Sequence, residues 1–271
     1  MYRVGLRPKT ASNYFYRVRK IFNLGEPLTY DRAVDLIEKL IRTKSYQTVL
    51  GYRKALKWFS RWLYETYEVI IDFDEIFKKL GVKWTVYSKI KYLDLSDKDM
   101  IKAYQILKEH KMEKESILFA FATVTGMRRS EIFQLEKKHI DLDNRIVLGG
   151  LLDEKFIRHT KKFFFTFFTK EVKELINKII NSNGPIFKVS DKKLKIAYQT
   201  IEKHLGKRIT LQTCREFFAT KLLESGLFSE IEVNILQGRT RGIIEKHYFI
   251  ANWKKLRKKY DKVWSNFCFE N

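Results

Sequence analysis

Apolar residues recur at steps of three and four through residues 45–67, SYQTVLGYRKALKWFSRWLYETY, where Val49, Tyr52, Leu56, Phe59 and Leu63 fall on one face of a helix. Two shorter stretches carry the same period. TASNYFYRVRKIF opens after Pro8 with Thr10 or Ser12 as caps, and TYDRAVDLIEKLI opens at Thr29. The period fails in LGVKWTVYSKIKYLDLSDKDM, which holds Gly81, and resumes at Ser96 with Asp97 and Asp99 in a first helical turn. A boundary near Tyr92 is expected, giving a helical N-terminal domain over 1–91 and a second domain over 92–271.

In the second domain ILFAFATV, residues 117–124, is apolar almost all round and predicts a buried helix ended by Gly126. LQTCREFFATKLLESGL places Arg215, Phe218, Ala219, Leu222 and Leu223 on one stripe, closed by Gly226, with Lys221 and Glu224 pointing away. Between these runs, RIVLGGLL and KKFFFTFF are rich in β-branched and aromatic residues and predict the two strands of a hairpin. The three prolines lie outside the long helical runs. The expected fold is mainly α with a small β-hairpin or sheet, an α+β chain.

Charge adds a partner to this picture. Fifty-four Lys and Arg stand against 32 Asp and Glu, a formal net charge of +22, shared as +9 over residues 1–90 and +13 over 91–271. An excess of that size suits a polyanion. On the long N-terminal helix Arg53, Lys57 and Arg61 are spaced four apart, and no acidic residue occurs between Lys44 and Glu65. That flank either reaches DNA phosphates or is a solvated face. No segment reaches 18 consecutive apolar residues and the N-terminus lacks a signal-peptide pattern, so the sequence reads as cytoplasmic, with no membrane association. Cys214 and Cys268 have no metal-ligand spacing and read as inert; no metal or other cofactor is expected.

The candidate chemistry begins where the buried helix ends, in TVTGMRRSEIFQL. A helix restarting after Gly126 puts Arg128, Glu131, Ile132 and Leu135 on one inward face. Glu131 then orients Arg128 without exhausting it, leaving an arginine ready for a phosphate. A plain Arg–Glu core pair is the alternative for these two residues alone. Arg215 makes a second inward arginine, and Arg239, in the turn LQGRTRG, makes a third basic residue. Nine residues after Arg239, Tyr248 stands one turn from Ile244 and faces the same interior. Converging arginines, an inward tyrosine and no metal-ligand cluster describe a site that binds a phosphodiester and attacks it.

These residues resemble the tyrosine recombinases, the integrase family of DNA strand-exchange enzymes. Thr125, Gly126, Arg128 and Glu131 match the family's Thr-Gly-x-Arg-x-x-Glu box, and QTCR matches His-x-x-Arg at Arg215, with Gln212 where histidine is usual. LQGR followed by TRGIIEKHY keeps the spacing of the third box, with Arg239 in the histidine or tryptophan position and Tyr248 as nucleophile. The resemblance takes in nearly the whole chain, residues 1–91 being similar to the family's DNA-binding core-binding domain and 92–271 to its catalytic domain. Loss of both usual histidines is similar to archaeal viral integrases, which points to an archaeal or archaeal-virus source.

The resemblance implies a metal-independent enzyme that cleaves and rejoins double-stranded DNA at a specific site, working as a tetramer. Arg128, Arg215 and Arg239 hold the phosphate, Gln212 donates to it, and Tyr248 forms a 3′-phosphotyrosyl link. A hairpin lysine protonates the leaving 5′ oxygen; Lys155, at the turn, is the first candidate and Lys161, opening the second strand, the rival. His247 points about 100° away from Tyr248 and is not assigned. The tail IANWKKLRKKYDKVWSNF, with Trp253, Leu256, Tyr260 and Val263 on one stripe, is expected to dock on a neighbouring protomer, with its own domain as the alternative. Two other readings remain: a DNA-binding protein on the same fold impaired in catalysis, and a type IB topoisomerase-like enzyme, which shares the chemistry but relaxes DNA without synapsis.

Overall fold

A computed structural model of the chain describes residues 8–22, 27–82, 94–148, 165–180, 184–239 and 243–270, with side chains from Trp253 onward in the last stretch. The chain forms two compact units, Met1–Ile90 and Lys91–Asn271. The expected break near Tyr92 lies outside the described residues.

In the first unit helix α1 spans Pro8–Ile21. It begins at the proline rather than at Thr10 or Ser12, because a fixed φ and a missing N–H are tolerated in the first helical turn. Helix α2, Tyr30–Thr43, is capped by Thr29, whose hydroxyl accepts from the Arg32 N–H. Helix α3, Tyr46–Tyr67, buries Val49, Tyr52 and Leu56 along the expected stripe. A fourth helix, α4 (Phe73–Lys79), was not signalled by any long period; Asp72 caps it by accepting from the N–H groups of Asp74 and Glu75. The rings of Phe22, Phe59 and Phe73 meet in the core at centroid separations of 5.9–6.2 Å.

Helix α4 also changes the reading of the basic flank. Arg53 donates from Nε and Nη2 to the two carboxylate oxygens of Asp74 at 2.8 and 3.1 Å, and Arg61 donates to Glu65 at 2.8 Å. Lys57, between them, is exposed. Two of the three flank positions thus carry acidic partners, Arg53 one from α4 and Arg61 one from the next turn of α3. Local spacing identified the nearest acidic residues along α3 but not a carboxylate delivered from α4.

In the second unit α5, Asp97–Glu109, starts at Ser96 in a capping box with Asp99, as its first turn predicts. Helix α6, Glu113–Thr125, is buried from Glu115 to its end. A four-residue helix α7 (Arg129–Ile132) follows, then strands β1 (Ile140–Asp141), β2 (Ile146–Val147) and β3 (Thr166–Phe167). The strands form an antiparallel sheet in the order β1-β2-β3, with Ile146 opposite Phe167 and Val147 opposite Thr166. The β2–β3 pair contains the ends of the expected hairpin. Its turn, with Lys155 and Lys161, lies outside the described residues.

Helices α8 (Lys170–Asn177), α9 (Asp191–Leu205), α10 (Leu211–Glu224), α11 (Glu230–Leu236) and α12 (Ile243–Val263) complete the unit. Helices α5, α8, α9 and α10 and strand β3 pack on α6, which explains why α6 is apolar almost all round. Lys221 does not point to solvent as the α10 pattern suggests. It bonds both oxygens of Asp97 and lies over the rings of Phe217, Trp264 and Phe267.

The C-terminal stripe docks on its own domain, the alternative to a neighbouring protomer. Leu256, Tyr260, Trp264, Phe267 and Phe269 are all buried in the core of the second unit. The Tyr260 hydroxyl donates to the Val124 carbonyl at 2.7 Å, and Glu171 accepts from the N–H groups of Phe269 and Glu270. Periodicity alone locates an apolar face; the surface that covers it is a tertiary property.

Candidate active site

The site is assembled where α6, α10 and α11 end or begin. Gly126 follows α6 in the left-handed region, φ 60° and ψ 19°, and a Cβ built there would clash with the Phe218 ring. Glycine is thus required both for the turn and for the close approach of α10. The turn throws Arg128 out of the helix. Arg128 is the cap before α7 rather than a member of a longer inward helix, and its side chain is 35% exposed. Glu131 holds it twice, accepting from its backbone N–H at 2.8 Å and from its guanidinium Nη1 at 3.1 Å.

Arg215, on the buried face of α10, is 2% exposed. Its Nη1 donates to the Gly126 carbonyl at 2.6 Å and its Nη2 to the Gln237 carbonyl at 2.8 Å, while Glu131 lies at 4.0 Å. Gln237 returns a bond from its Nε2 to the Arg215 carbonyl at 2.8 Å. One side chain therefore ties the end of α6 to the end of α11. Gly238 turns the chain after α11 with φ 59°, and the Arg239 N–H closes the turn on the Asn234 carbonyl at 2.8 Å. This places the exposed Arg239 at the rim of the same cluster.

The three arginines act on one another. Burial, and after it the charge of Arg128, push the Arg215 pKa down to about 9 against the pull of Glu131, with Arg239 adding to the depression. Arg239 is lowered by partial desolvation and then by Arg128, with Glu216 opposing. At neutral pH Arg215 keeps its proton, so its charge is held at a cost to folding that a bound anion recovers. The cluster has the electrostatics of an anion site.

Arg128, Glu131, Arg215 and Arg239 are thus brought together. Gln212 lies exposed one turn before Glu216 on α10, and its Nε2 donates to Glu216 Oε1 at 2.9 Å. Tyr248 belongs to α12, twelve residues before Tyr260, about 18 Å along a helix axis; its side chain lies outside the described ones, as do Lys155 and Lys161. Gln237 and Glu216 were not signalled. An amide beside glycine in NILQG and a carboxylate next to Arg215 were the available clues, but neither residue type marks a role without the tertiary contact. Cys214 is buried and its thiol is pushed up to about 12 by desolvation, away from thiolate chemistry. Among the described residues no three His, Cys, Asp or Glu side chains group as a metal site, and no helix is long and apolar enough to cross a membrane.

The tyrosine recombinase XerA of Saccharolobus solfataricus (strain ATCC 35092 / DSM 1617 / JCM 11322 / P2) is 28% identical over 145 residues, which are 51% of this chain and 47% of that protein. The match thus spans about half of the relative's length. Among solved structures, the Tn1549 transposon integrase in complex with transposon right end DNA aligns over 95% of both chains with a TM-score of 0.60 and 12% identity. XerH site-specific recombinase bound to difH substrate aligns over 90% of this chain and 79% of that one, with a TM-score of 0.55 and 15% identity. These likenesses are of fold. The archaeal phage integrase profile matches residues 93–266, the stretch that contains Arg128, Arg215, Arg239 and Tyr248, and the chain belongs to that family of tyrosine recombinases.

Proposed function

We infer that the protein is a site-specific DNA recombinase that cleaves and rejoins strands through a 3′-phosphotyrosyl intermediate at Tyr248. The observation that carries this reading is Arg215, buried between the Gly126 and Gln237 carbonyls and repelled by two further arginines. Arg128 and Arg215 stabilise the charge that grows on the nonbridging oxygens as phosphorus becomes five-coordinate, and Arg239 adds a contact from the rim. Gln212 donates one neutral hydrogen bond. It has no proton to exchange, so protonation of the leaving 5′ oxygen falls to Lys155, or to Lys161. Attack by the phenolate breaks the phosphorus–5′ oxygen bond and conserves its energy in the new ester, so a second strand's 5′ hydroxyl reverses the step without ATP.

The test is incubation with a nicked suicide duplex carrying the target site. A covalent protein–DNA adduct with a free 5′ hydroxyl is expected; its absence on every duplex that the protein binds site-specifically overturns the reading. Strand exchange between two duplexes, in place of relaxation of a supercoiled circle, separates a recombinase from a type IB topoisomerase-like enzyme. Exchange is expected from a tetramer, four active sites serving four strands.

Residues 1–91 are proposed as a DNA-binding domain, with Lys57 as the principal phosphate contact of the flank. If a duplex engages about ten phosphates, log K against log salt should fall with a slope near −9. Lys57→Ala should flatten it by about one unit. A slope shallower than about −3, or no change in the variant, would place this part of the +22 charge away from DNA.

A further inference from the structure

Besides Glu131, a second carboxylate, Glu216, bears on the arginine cluster. Glu216 follows Arg215 on α10, so the two side chains leave the helix about 100° apart: Arg215 is buried and Glu216 is exposed. Glu216 lies one turn after Gln212 and accepts from its Nε2 at 2.9 Å. A carboxylate only accepts hydrogen bonds, so the contact sets the amide with its NH2 toward Glu216 and its oxygen away. The same carboxylate supports the charge of Arg239 against desolvation and Arg128. Its two clients, Gln212 and Arg239, are both groups assigned above to the phosphate.

The two carboxylates of the cluster differ in how they are held. Glu131 is 16% exposed and fixed by both the backbone and the guanidinium of Arg128. It is a permanent part of the site. Glu216 stands at the surface on a hydrogen bond from a neutral amide that is itself exposed. Rotating it into water breaks little. It offers what a phosphodiester offers: one negative charge spread over two acceptor oxygens.

We propose that Glu216 is a built-in counter-anion of the phosphate site, occupying the Gln212 amide and offsetting Arg239 until a DNA phosphodiester displaces it. The exchange moves no proton and breaks no covalent bond; one anion replaces another. Because the carboxylate is tethered, it competes at an effective concentration in about the millimolar range or above. A free anion meets that competition alone. A duplex phosphate arrives with the other backbone contacts of the bound duplex and wins through them. Glu216 thereby makes the site selective for a phosphate on docked DNA over stray anions. The proposal rests on the assignment of Arg128, Arg215 and Arg239 to the phosphate.

The probe is inorganic phosphate, titrated into the full chain without DNA at constant ionic strength, with binding read from the arginine side-chain Nε–H resonances. Glu216→Gln and Glu216→Ala should each bind phosphate about tenfold more tightly than the unaltered chain, with thermal unfolding little changed because the position is exposed. A merely structural role gives the opposite sign: looser arginines and weaker phosphate binding. If the unaltered chain responds to phosphate and both variants bind it equally or more weakly, the counter-anion role is overturned. If neither the unaltered chain nor the variants respond, the assignment of the arginines to a phosphate fails, and the proposal with it. Neither readout uses Tyr248, so failure to form a DNA adduct is a separate result.

Discussion

Tyr248→Phe is expected to abolish the covalent DNA adduct while changing duplex affinity by no more than about twofold. In the proposed reaction the phenolic oxygen forms the phosphorus–oxygen bond, so no other atom of the ring could replace it, whereas affinity would rest mainly on backbone phosphates met by cationic side chains. An unassisted phenol with a pKa of about 10 is ionised in only about one molecule in a thousand at pH 7, a penalty near 4 kcal/mol that a nearby arginine cluster reduces by favouring the phenolate. The competing tyrosine on the same helix is Tyr260. It is fully buried, its hydroxyl is spent on the Val124 carbonyl, and burial pushes its phenol well above the ordinary value. Tyr260→Phe should therefore keep the adduct. Denaturing gels of both variants on one nicked suicide duplex, with peptide mapping of the linked residue, decide the matter; adduct in the Tyr248→Phe variant removes Tyr248 from the site.

Arg128→Ala and Arg215→Ala should each slow single-turnover cleavage by about a thousandfold or more, the scale on which loss of a preorganised transition-state donor is felt. Gln212→Ala should cost only about tenfold, near 1.4 kcal/mol, because an amide contributes one neutral hydrogen bond and is already shared with Glu216. Gln212→His should be tolerated. The two arginines differ in a way that equilibrium unfolding exposes. Arg215→Ala leaves two buried carbonyls, Gly126 and Gln237, without their donor, so stability should fall by about 1–3 kcal/mol or more. Arg128 is one-third exposed and its guanidinium is bonded to Glu131, so its removal should leave stability nearly unchanged. Equal damage from Gln212→Ala and Arg215→Ala would give the glutamine a part in the reaction beyond a single donor.

Much of this was written in local pattern. The stripe of Val49, Tyr52 and Leu56, the caps at Thr29 and Ser96, the all-apolar α6 and the hairpin strands follow from the period of side chains along helix and strand and from the short-range chemistry of helix ends. The arginines and Tyr248 were legible for another reason: their types and spacings resemble the boxes of a known family, and the fold brings Arg128, Arg215 and Arg239 within reach of one another's charge. Contacts between distant segments were not legible. Arg53 meets Asp74 because α4 folds back on α3, and the tail covers its own core because Tyr260 finds the Val124 carbonyl. Arg215 bridges Gly126 and Gln237, and Glu216 comes to bear on Arg239, only once α10 is packed between α6 and α11. A sequence specifies which face of an element is apolar and which groups it carries; which partner covers that face, and which charge meets which, depends on packing across tens of residues that no local period records.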